Sequence, residues 1–381
     1  MSEGGLLEGR FGSVLRRAAR RYPELRRRLA VVEMLVHREV VTGPSLSLPL
    51  RRRLSLWRHG FTSRSGVLFD LLDGEYEDYL SDYRFELLDD LGGQWGDVVG
   101  NKLAMHLLLG PFEDHLPDLH GVLVDGELRR DVPFLSPAPD ADVSGTVDRL
   151  DAYLDAHGAF VLKPVYGFSG KGVSVCRRVP EGDGYEIDGE PASRDEFADL
   201  VAGLDEYLVS GFVEQADYAE TLFPGSANTL RVVTLWDPET DEPFVSGAVH
   251  RIGTAETAPV DNWSRGGLSA EVGGDGTLSR AARWSESAGE TRWHDTHPDT
   301  GARIEGTRVP GWPLVRERIL EMAAAFPDLP RIGWDVVVVD DGAGFVVLEI
   351  NRHAGIETLQ VHRPHLADPR VRRFYEHHGY V

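Results

Sequence analysis

Residues Phe160–Cys176 read FVLKPVYGFSGKGVSVC, and the fold turns on this stretch. Two β-prone runs, Phe160–Val165 and Val173–Cys176, flank a loop holding Gly167, Gly170 and Gly172. Lys163 lies inside the first run and Lys171 at the loop tip. The chain has one other lysine, Lys102, against 37 arginines. A lysine ammonium is a compact charge that enters a tight site and touches one or two phosphate oxygens, whereas guanidinium is a broad planar fork. The stretch therefore reads as a nucleotide-phosphate clamp, against the plainer reading of a surface hairpin with a flexible tip. High genomic G+C content is a rival cause of the arginine bias.

Two familiar phosphate loops fail here. A Walker A lysine is followed by Ser or Thr and a helix, whereas Lys171 is followed by Gly172 and the strand-like VSVC. A dinucleotide fingerprint also needs a helix after its glycines. A Gly-rich flap between antiparallel strands, its backbone N–H groups toward phosphates, fits better. Protein kinases use such a flap, but their lysine follows it, and no HRD or DFG stretch lies downstream.

A second stretch, Ile332–Asn351, reads IGWDVVVVDDGAGFVVLEIN: two β-branched runs around a DDGAG turn, a hairpin pattern. With the turn at Gly342 or Ala343, Asp335 lies across from Glu349 or Asn351, which share one face of their strand. Either register gathers two carboxylates and an amide oxygen at one end of the hairpin. Hard oxygen donors of this kind suit Mg²⁺, which takes its remaining ligands from waters and nucleotide phosphates.

Between and around these hairpins the pattern is mixed. Apolar residues from Phe11 to about Val41 recur at helical steps, and a second helical region extends over Phe69–Leu91. Asn101–Leu109 predicts a short helix with Lys102 near its start, Val147–His157 a helix leading into the flap hairpin, Asp195–Val209 another, and Pro313–Phe326 a last one. Val122–Val124, Val132–Leu135, Gly211–Gln215, Thr229–Trp236 and Phe244–Arg251 read as strands, Tyr185–Glu190 as a turn, and Glu271–Thr300 as loop-rich with weak strand character. The expected class is α+β.

At 381 residues, 41% apolar and with eight tryptophans, the chain suits a folded protein of two or three lobes. No apolar run nears the roughly 20 residues that span a bilayer, and the Ser-Glu-Gly-Gly start lacks a secretory apolar region, so a soluble cytoplasmic protein is expected. The single Cys176 excludes an internal disulfide and a cysteine metal cluster, and reads as a small core residue. The net charge of −22 suits a salt-rich, halophilic cytoplasm, where a Debye length of about 3 Å at ~1 M salt screens acidic repulsion. No nucleic-acid partner is expected. The charge is uneven: residues 1–60 carry 13 arginines and five acids. Such a basic arm suits the protein's own acidic body first, and otherwise peripheral contact with anionic lipid or a polyanion.

Taken in order, Asn101-Lys102, FVLKPV, GFSGKG, LVSGFVEQ and the strand pair with Asp335 and Glu349-Ile350-Asn351 resemble the ATP-grasp superfamily. SANTLRVVT, RIG, DNWSRGG, HPDTG and IGWDVVVVDDG further resemble its sugar-transfer associated group, often labelled α-L-glutamate ligase-related. The resemblance covers roughly residues 101–351. It implies a nucleotide held between two α+β lobes, residues 101–210 with the flap and 211–381 with the metal site, behind a helical basic region of residues 1–100. It further implies that Lys102 and Lys163 hold the phosphates of ATP, with Gly170, Lys171 and Gly172 closing over them and Glu214 meeting adenine or ribose. Asp335, Glu349 and Asn351 would hold Mg²⁺, or Mn²⁺ in its place. Arg231 and Lys163 would act on the transferring phosphoryl group, and Asn228, Arg251, Asp261 and Asn262 would shape the acceptor side. Such enzymes mostly activate a carboxylate as an acyl phosphate and pass it to an amine or thiol; here a sugar-linked substrate in polysaccharide or cell-surface metabolism is one expectation. A kinase acting on a small molecule or sugar, and a non-catalytic nucleotide-binding scaffold, are the alternatives. His297, in HPDTG, reads as a loop histidine ahead of a base.

Overall fold

In a computed structural model, residues 23–42, 46, 48–71, 74–131, 135–136, 143–167, 170–179, 184–285, 287–340, 342 and 344–381 are described. The start of the helix expected from Phe11, most of the strand expected at Val132–Leu135, and flap residues 168 and 169 lie outside them. The chain divides into two units. One comprises Met1–Asp90, Trp284–Thr291 and Arg363–Val381, the other Leu91–Arg283 and Arg292–His362.

Among its described residues the first unit holds the helices Pro23–His37, Leu50–Arg58, Ser63–Leu68, Asp82–Glu86 and Pro369–His377. Their ends are capped as their sequences allow. Thr62 Oγ1 accepts from Ser65 N at 3.2 Å, and Asp368 Oδ1 accepts from Arg370 N at 2.8 Å. The helical region expected over Phe69–Leu91 is corrected here. Between Phe69 and Ser81 the described residues include no α-helix, and Gly74 takes φ +101°, a left-handed value that breaks helical progression.

Two seven-stranded sheets build the second unit. The first contains β1 (Leu119–Val124), β2 (Glu127–Arg129), β3 (Ala159–Pro164), β4 (Ser174–Arg178), β5 (Tyr185–Ile187), β6 (Glu190–Ala192) and β7 (Tyr207–Gly211), in the order β2-β1-β7-β3-β4-β5-β6. The second contains β8 (Leu230–Asp237), β9 (Glu242–Ile252), β10 (Leu268–Val272), β11 (Leu278–Ser285), β12 (Glu290–His294), β13 (Arg331–Val338) and β14 (Phe345–Asn351), in the order β12-β11-β10-β9-β8-β13-β14. On β3 the side chains alternate. Phe160 and Leu162 join Leu150, Tyr153, Phe197 and Val201 in one core, so the helices Thr146–His157 and Arg194–Ala202 cover that face. Lys163, one residue on, is carried to the other face. Against the second sheet, helix Trp312–Ala324 buries Trp312, Val315, Ile319, Met322 and Ala323 at helical spacing.

Four expectations are corrected in this unit, the first being the strand expected over Gly211–Gln215, of which only Gly211 is in a strand, the end of β7. The helix expected to run to Val209 ends at Ala202, and Tyr207–Gly211 becomes β7, paired with both β1 and β3. Two sheet ladders outweigh continued helical periodicity there. Tyr185–Glu190 is a hairpin of β5 and β6 around Asp188 and Gly189, both with φ positive. The stretch Glu271–Thr300, expected to be loop-rich, holds all of β11 and β12 and the end of β10.

Candidate active site

The site grows from register. Asp335 on β13 pairs with Arg231 on β8 at one side and with Glu349 on β14 at the other. Asn351 lies two residues beyond Glu349 and so shares its face; Arg231 sits opposite Val249 on β9, two residues before Arg251. Adjacent strands thus bring five polar side chains to one face of the second sheet.

Their contacts form a chain of alternating charge. Arg231 donates to Asp335 through Nε and through Nη2, the latter at 3.0 Å from Oδ2. Arg251 Nη2 lies 3.2 Å from Asp335 Oδ2 and 3.3 Å from Asp261 Oδ1. Asn351 Nδ2 donates to Asp335 Oδ2 at 3.3 Å. Thr229 completes the run: its N–H donates to Asp261 Oδ2 at 2.9 Å and its hydroxyl at 2.5 Å, while Arg251 Nε donates to the same hydroxyl oxygen at 2.9 Å. No spacing in the sequence marks Thr229, because its role depends on where the loop carrying Asp261 returns.

Electrostatics follow from this packing. Burial works to raise the Asp335 carboxyl, but Arg231 and Arg251 outweigh it and hold the group below the usual carboxylate range. Burial pushes Asp261 up despite Arg251 and the Thr229 hydrogen bonds. Burial likewise raises Glu349, with Lys102 opposing and Asp335 adding to the rise.

Both expected clamp lysines are buried. Asn101 Oδ1 caps helix Lys102–Leu108 by accepting from Ala104 N at 2.9 Å, and Lys102 N donates to Val165 O at 3.0 Å. The Lys102 ammonium donates to Gly167 O at 3.0 Å and lies 3.5 Å from Glu349 Oε1, bridging the flap's first strand end to the second sheet. Lys163 makes no hydrogen bond or ion pair among the described residues. Burial first, then Lys102, lowers its pKa to about 8, and Glu349 opposes them.

The flap residues Gly170 and Gly172 take φ +67° and +74°. A Cβ on Gly170 would sit 2.7 Å from Val260 Cγ1, so the flap approaches the loop that carries Asp261. Lys171 is exposed. Glu214 is also exposed, in the segment that joins β7 to the second sheet. Its neighbour Gln215 is firmly held: Oε1 accepts from Asn228 N at 2.9 Å, and Nε2 donates to Phe223 O at 3.1 Å and Ser226 O at 3.0 Å. Ala216 N donates to Val338 O at 2.8 Å, and the Arg177 guanidinium stacks 4.1 Å over the Phe212 ring.

Three further residues have internal partners. Asn228 is buried and donates to Ala219 O at 2.9 Å and Phe223 O at 2.7 Å while accepting from Gly253 N at 3.0 Å, a scaffolding arrangement. Asn262 Oδ1 accepts from Ser264 N at 3.1 Å at the start of a short turn. His297 Nε2 donates to Gly253 O at 2.8 Å, while Nδ1 accepts from Asp299 N at 3.2 Å and Thr300 N at 3.3 Å, which fixes it as a neutral loop pin.

The donor set can be weighed against a metal. Among the described residues no three His, Cys, Asp or Glu side chains gather as a metal cluster. Asp335, Glu349 and Asn351 nevertheless offer two carboxylates and an amide oxygen at neighbouring register positions. Glu349, raised by burial and with one ion-pair partner at 3.5 Å, is a carboxylate short of positive charge. Glu349 and the Asn351 amide oxygen suit a hard divalent ion that completes its shell with water and ligand oxygens, whereas both Asp335 oxygens are taken by Arg231, Arg251 and Asn351, so Asp335 would join such an ion only by giving up part of these contacts.

The profile of the sugar-transfer associated ATP-grasp family matches residues 95–374, and the chain belongs to that family. No curated protein matches the chain. Similar solved structures include the ATP-grasp ligase PsnB complexed with minimal precursor, 12% identical over 74% of this chain and 63% of that one, TM-score 0.37. Another is the ADP complex of purK, N5-carboxyaminoimidazole ribonucleotide synthetase, 12% identical over 68% and 46%, TM-score 0.35. A third is L-amino acid ligase from Bacillus licheniformis, 11% identical over 69% and 43%, TM-score 0.34. The chain thus spans between 43% and 63% of the length of these proteins.

Proposed function

We propose that this protein is an ATP- and Mg²⁺-dependent ligase that activates a carboxylate as an acyl phosphate and transfers the acyl group to an amine or thiol. The observation that carries the reading is Lys163: a buried side chain whose ammonium has no hydrogen bond or ion pair among the described residues and whose charge Lys102 disfavours and Glu349 favours. A buried cation without a partner is costly, and an incoming phosphate removes that cost.

In this reading the carboxylate oxygen of the acid substrate attacks the γ-phosphorus of ATP, and the bond to the bridging oxygen breaks to release ADP. The amine or thiol then attacks the acyl carbon, inorganic phosphate leaves with the former carboxylate oxygen, and the nucleophile loses a proton. Lys102 and Lys163 hold the phosphates, and the flap at Gly170, Lys171 and Gly172 covers them. Glu214 meets the adenine or ribose. Arg231 lies next to the transfer point and stabilises the charge that develops on the phosphoryl oxygens. Asp335, Glu349 and Asn351 would hold Mg²⁺ or Mn²⁺, which neutralises phosphate charge when bound. Arg251, positioned by Asp261 and Thr229, borders the acceptor side with Asn262.

The functional parts in this reading are residues 1–100, the flap lobe 101–210 and the metal lobe 211–381. The use of ATP puts the reaction in the cytoplasm, and the charge of −22 suits a salt-rich one. The acceptor class favoured by the family's description is sugar-linked, in polysaccharide or cell-surface metabolism.

The test is ADP release by the purified protein at high KCl over pairs of acids and amines, with hydroxylamine as trap. A hydroxamate supports the acyl phosphate. ADP formation without hydroxamate turns the reading toward a kinase, and ATP binding without substrate-dependent ADP from any pair counts against catalysis.

A further inference from the structure

Helix Leu50–Arg58 (LRRRLSLWR) is built the wrong way round for a helix that only packs inward. Its buried hydrophobic residue is Leu56, whereas Leu50, Leu54 and Trp57 are 67%, 53% and 41% exposed. At about 100° per residue these three fall on one stripe, with Arg53 on one flank and Arg51 and Arg58 on the other. The helix contains no acid, and Arg51 and Arg58 form no ion pair among the described residues. A second outward stripe, Val32, Val36 and Val40, follows four-residue steps in the same unit. On the side of the helix turned away from this stripe, a cavity of about 280 Å³ is lined by Arg51, Arg52, Ser55, Leu56 and Tyr76. Ser55 Oγ and Tyr76 Oη are 3.1 Å apart, and His59 stacks on the Tyr76 ring at 4.1 Å.

We propose that this helix docks the protein on an anionic lipid surface, with Leu50, Leu54 and Trp57 entering the headgroup boundary and the flanking Arg51, Arg53 and Arg58 meeting lipid phosphates. Apolar side chains between arginines match a bilayer, which offers hydrocarbon and negative charge in one plane. Other occupants match less well. Residues 1–22 carry five arginines against two glutamates and would bring like charge to the face. An acidic surface on a second copy would meet the arginines but leave the three apolar side chains in water. Among the described residues no helix is long and apolar enough to cross a membrane, so the contact is one of lying on the surface. The proposal is independent of the ATP-site reading.

The experiment is flotation of the full chain with vesicles of phosphatidylcholine alone or with 30% phosphatidylglycerol (about 3 in 10 lipids charged) at roughly 0.15 M and 1 M KCl. Two double variants are compared, Leu54→Ser with Trp57→Ser and Arg51→Glu with Arg58→Glu, each checked for an unchanged thermal midpoint and unchanged ATP binding. The expected result is flotation with the anionic vesicles only, reduced more than about tenfold by either double variant and by the higher salt. Absence of flotation at the lower salt, or equal flotation by folded variants, overturns the proposal. So does sedimentation showing a concentration-dependent dimer that both variants abolish, which assigns the face to a second copy.

Discussion

Arg231 holds both carboxylate oxygens of Asp335 from the directly opposed register position on the neighbouring strand. Asp335 is buried and Arg231 nearly so, and Arg251 and Asn351 share the same carboxylate. Removing one member of a buried ion pair leaves the rest uncompensated, at a cost of about 3–5 kcal/mol. Asp335→Asn should therefore lower unfolding stability by roughly this amount and abolish substrate-dependent ADP release. Urea unfolding measures the first and a coupled ADP assay the second. A stable Asp335→Asn protein with normal turnover would remove Asp335 from the site.

Lys163 should behave in the opposite way. Its neighbours disfavour its charge, so Lys163→Met should keep or raise the thermal midpoint while weakening ATP binding at least about tenfold. Calorimetric titration beside thermal unfolding separates the two effects.

The pH dependence follows from the same lysine. Its pKa in the folded protein is about 8, below the 10.5 of a free lysine. Between these values the unfolded chain binds more protons, so this group's contribution to stability rises with pH through that window and is flat below it. The slope is at most about 1.4 kcal/mol per pH unit. Lys163→Met should remove that rise. ATP binding, which needs the charged ammonium, should take up protons near pH 8, as titrations in buffers of different ionisation enthalpy would register.

Glu349→Gln should spare the fold, because Lys102 keeps its bond to Gly167 O. It should raise the Mg²⁺ concentration for half-maximal ADP release by about tenfold, since a neutral amide is a weaker hard-ion ligand. EDTA should stop turnover, and Mn²⁺ should restore it along with Mg²⁺. Metal-independent turnover in the variant would contradict the assignment.

Gly170 takes a left-handed φ and faces Val260 at 2.7 Å from a would-be Cβ. Gly170→Ala should cost about 1–2 kcal/mol in stability. It should also raise KM for ATP, and Val260→Ala should recover part of the loss by removing the clash but not the strain.

The hairpin of β13 and β14 was legible because two β-branched runs and a DDGAG turn leave few registers, and Asp335 does oppose Glu349. The flap strands β3 and β4 were legible for a similar reason: apolar alternation on either side of three glycines. What escaped depended on partners distant in sequence. Leu204 and Leu208 continue the spacing of the helix before them, yet Leu208 belongs to a strand clasped between β1 and β3. The strands β11 and β12 are interrupted by polar and small residues, and their pairing compensates for weak local preference. The contacts of Arg251 were equally hidden, since Asp261 and Asp335 reach it from separate loops and strands.

The firm hold on Gln215 and Ala216 bears on how the two sheets would part. Downstream, the chain is tied to the second sheet's surroundings from Gln215 on; upstream, Gly211 belongs to β7 and the Phe212 ring lies under Arg177. Along this connection, a swing between the sheets would be taken up at Val213 and Glu214. In the proposed reading Glu214 would then lie on the pivot, and a ligand group resting against it would keep its place while the sheets moved around it.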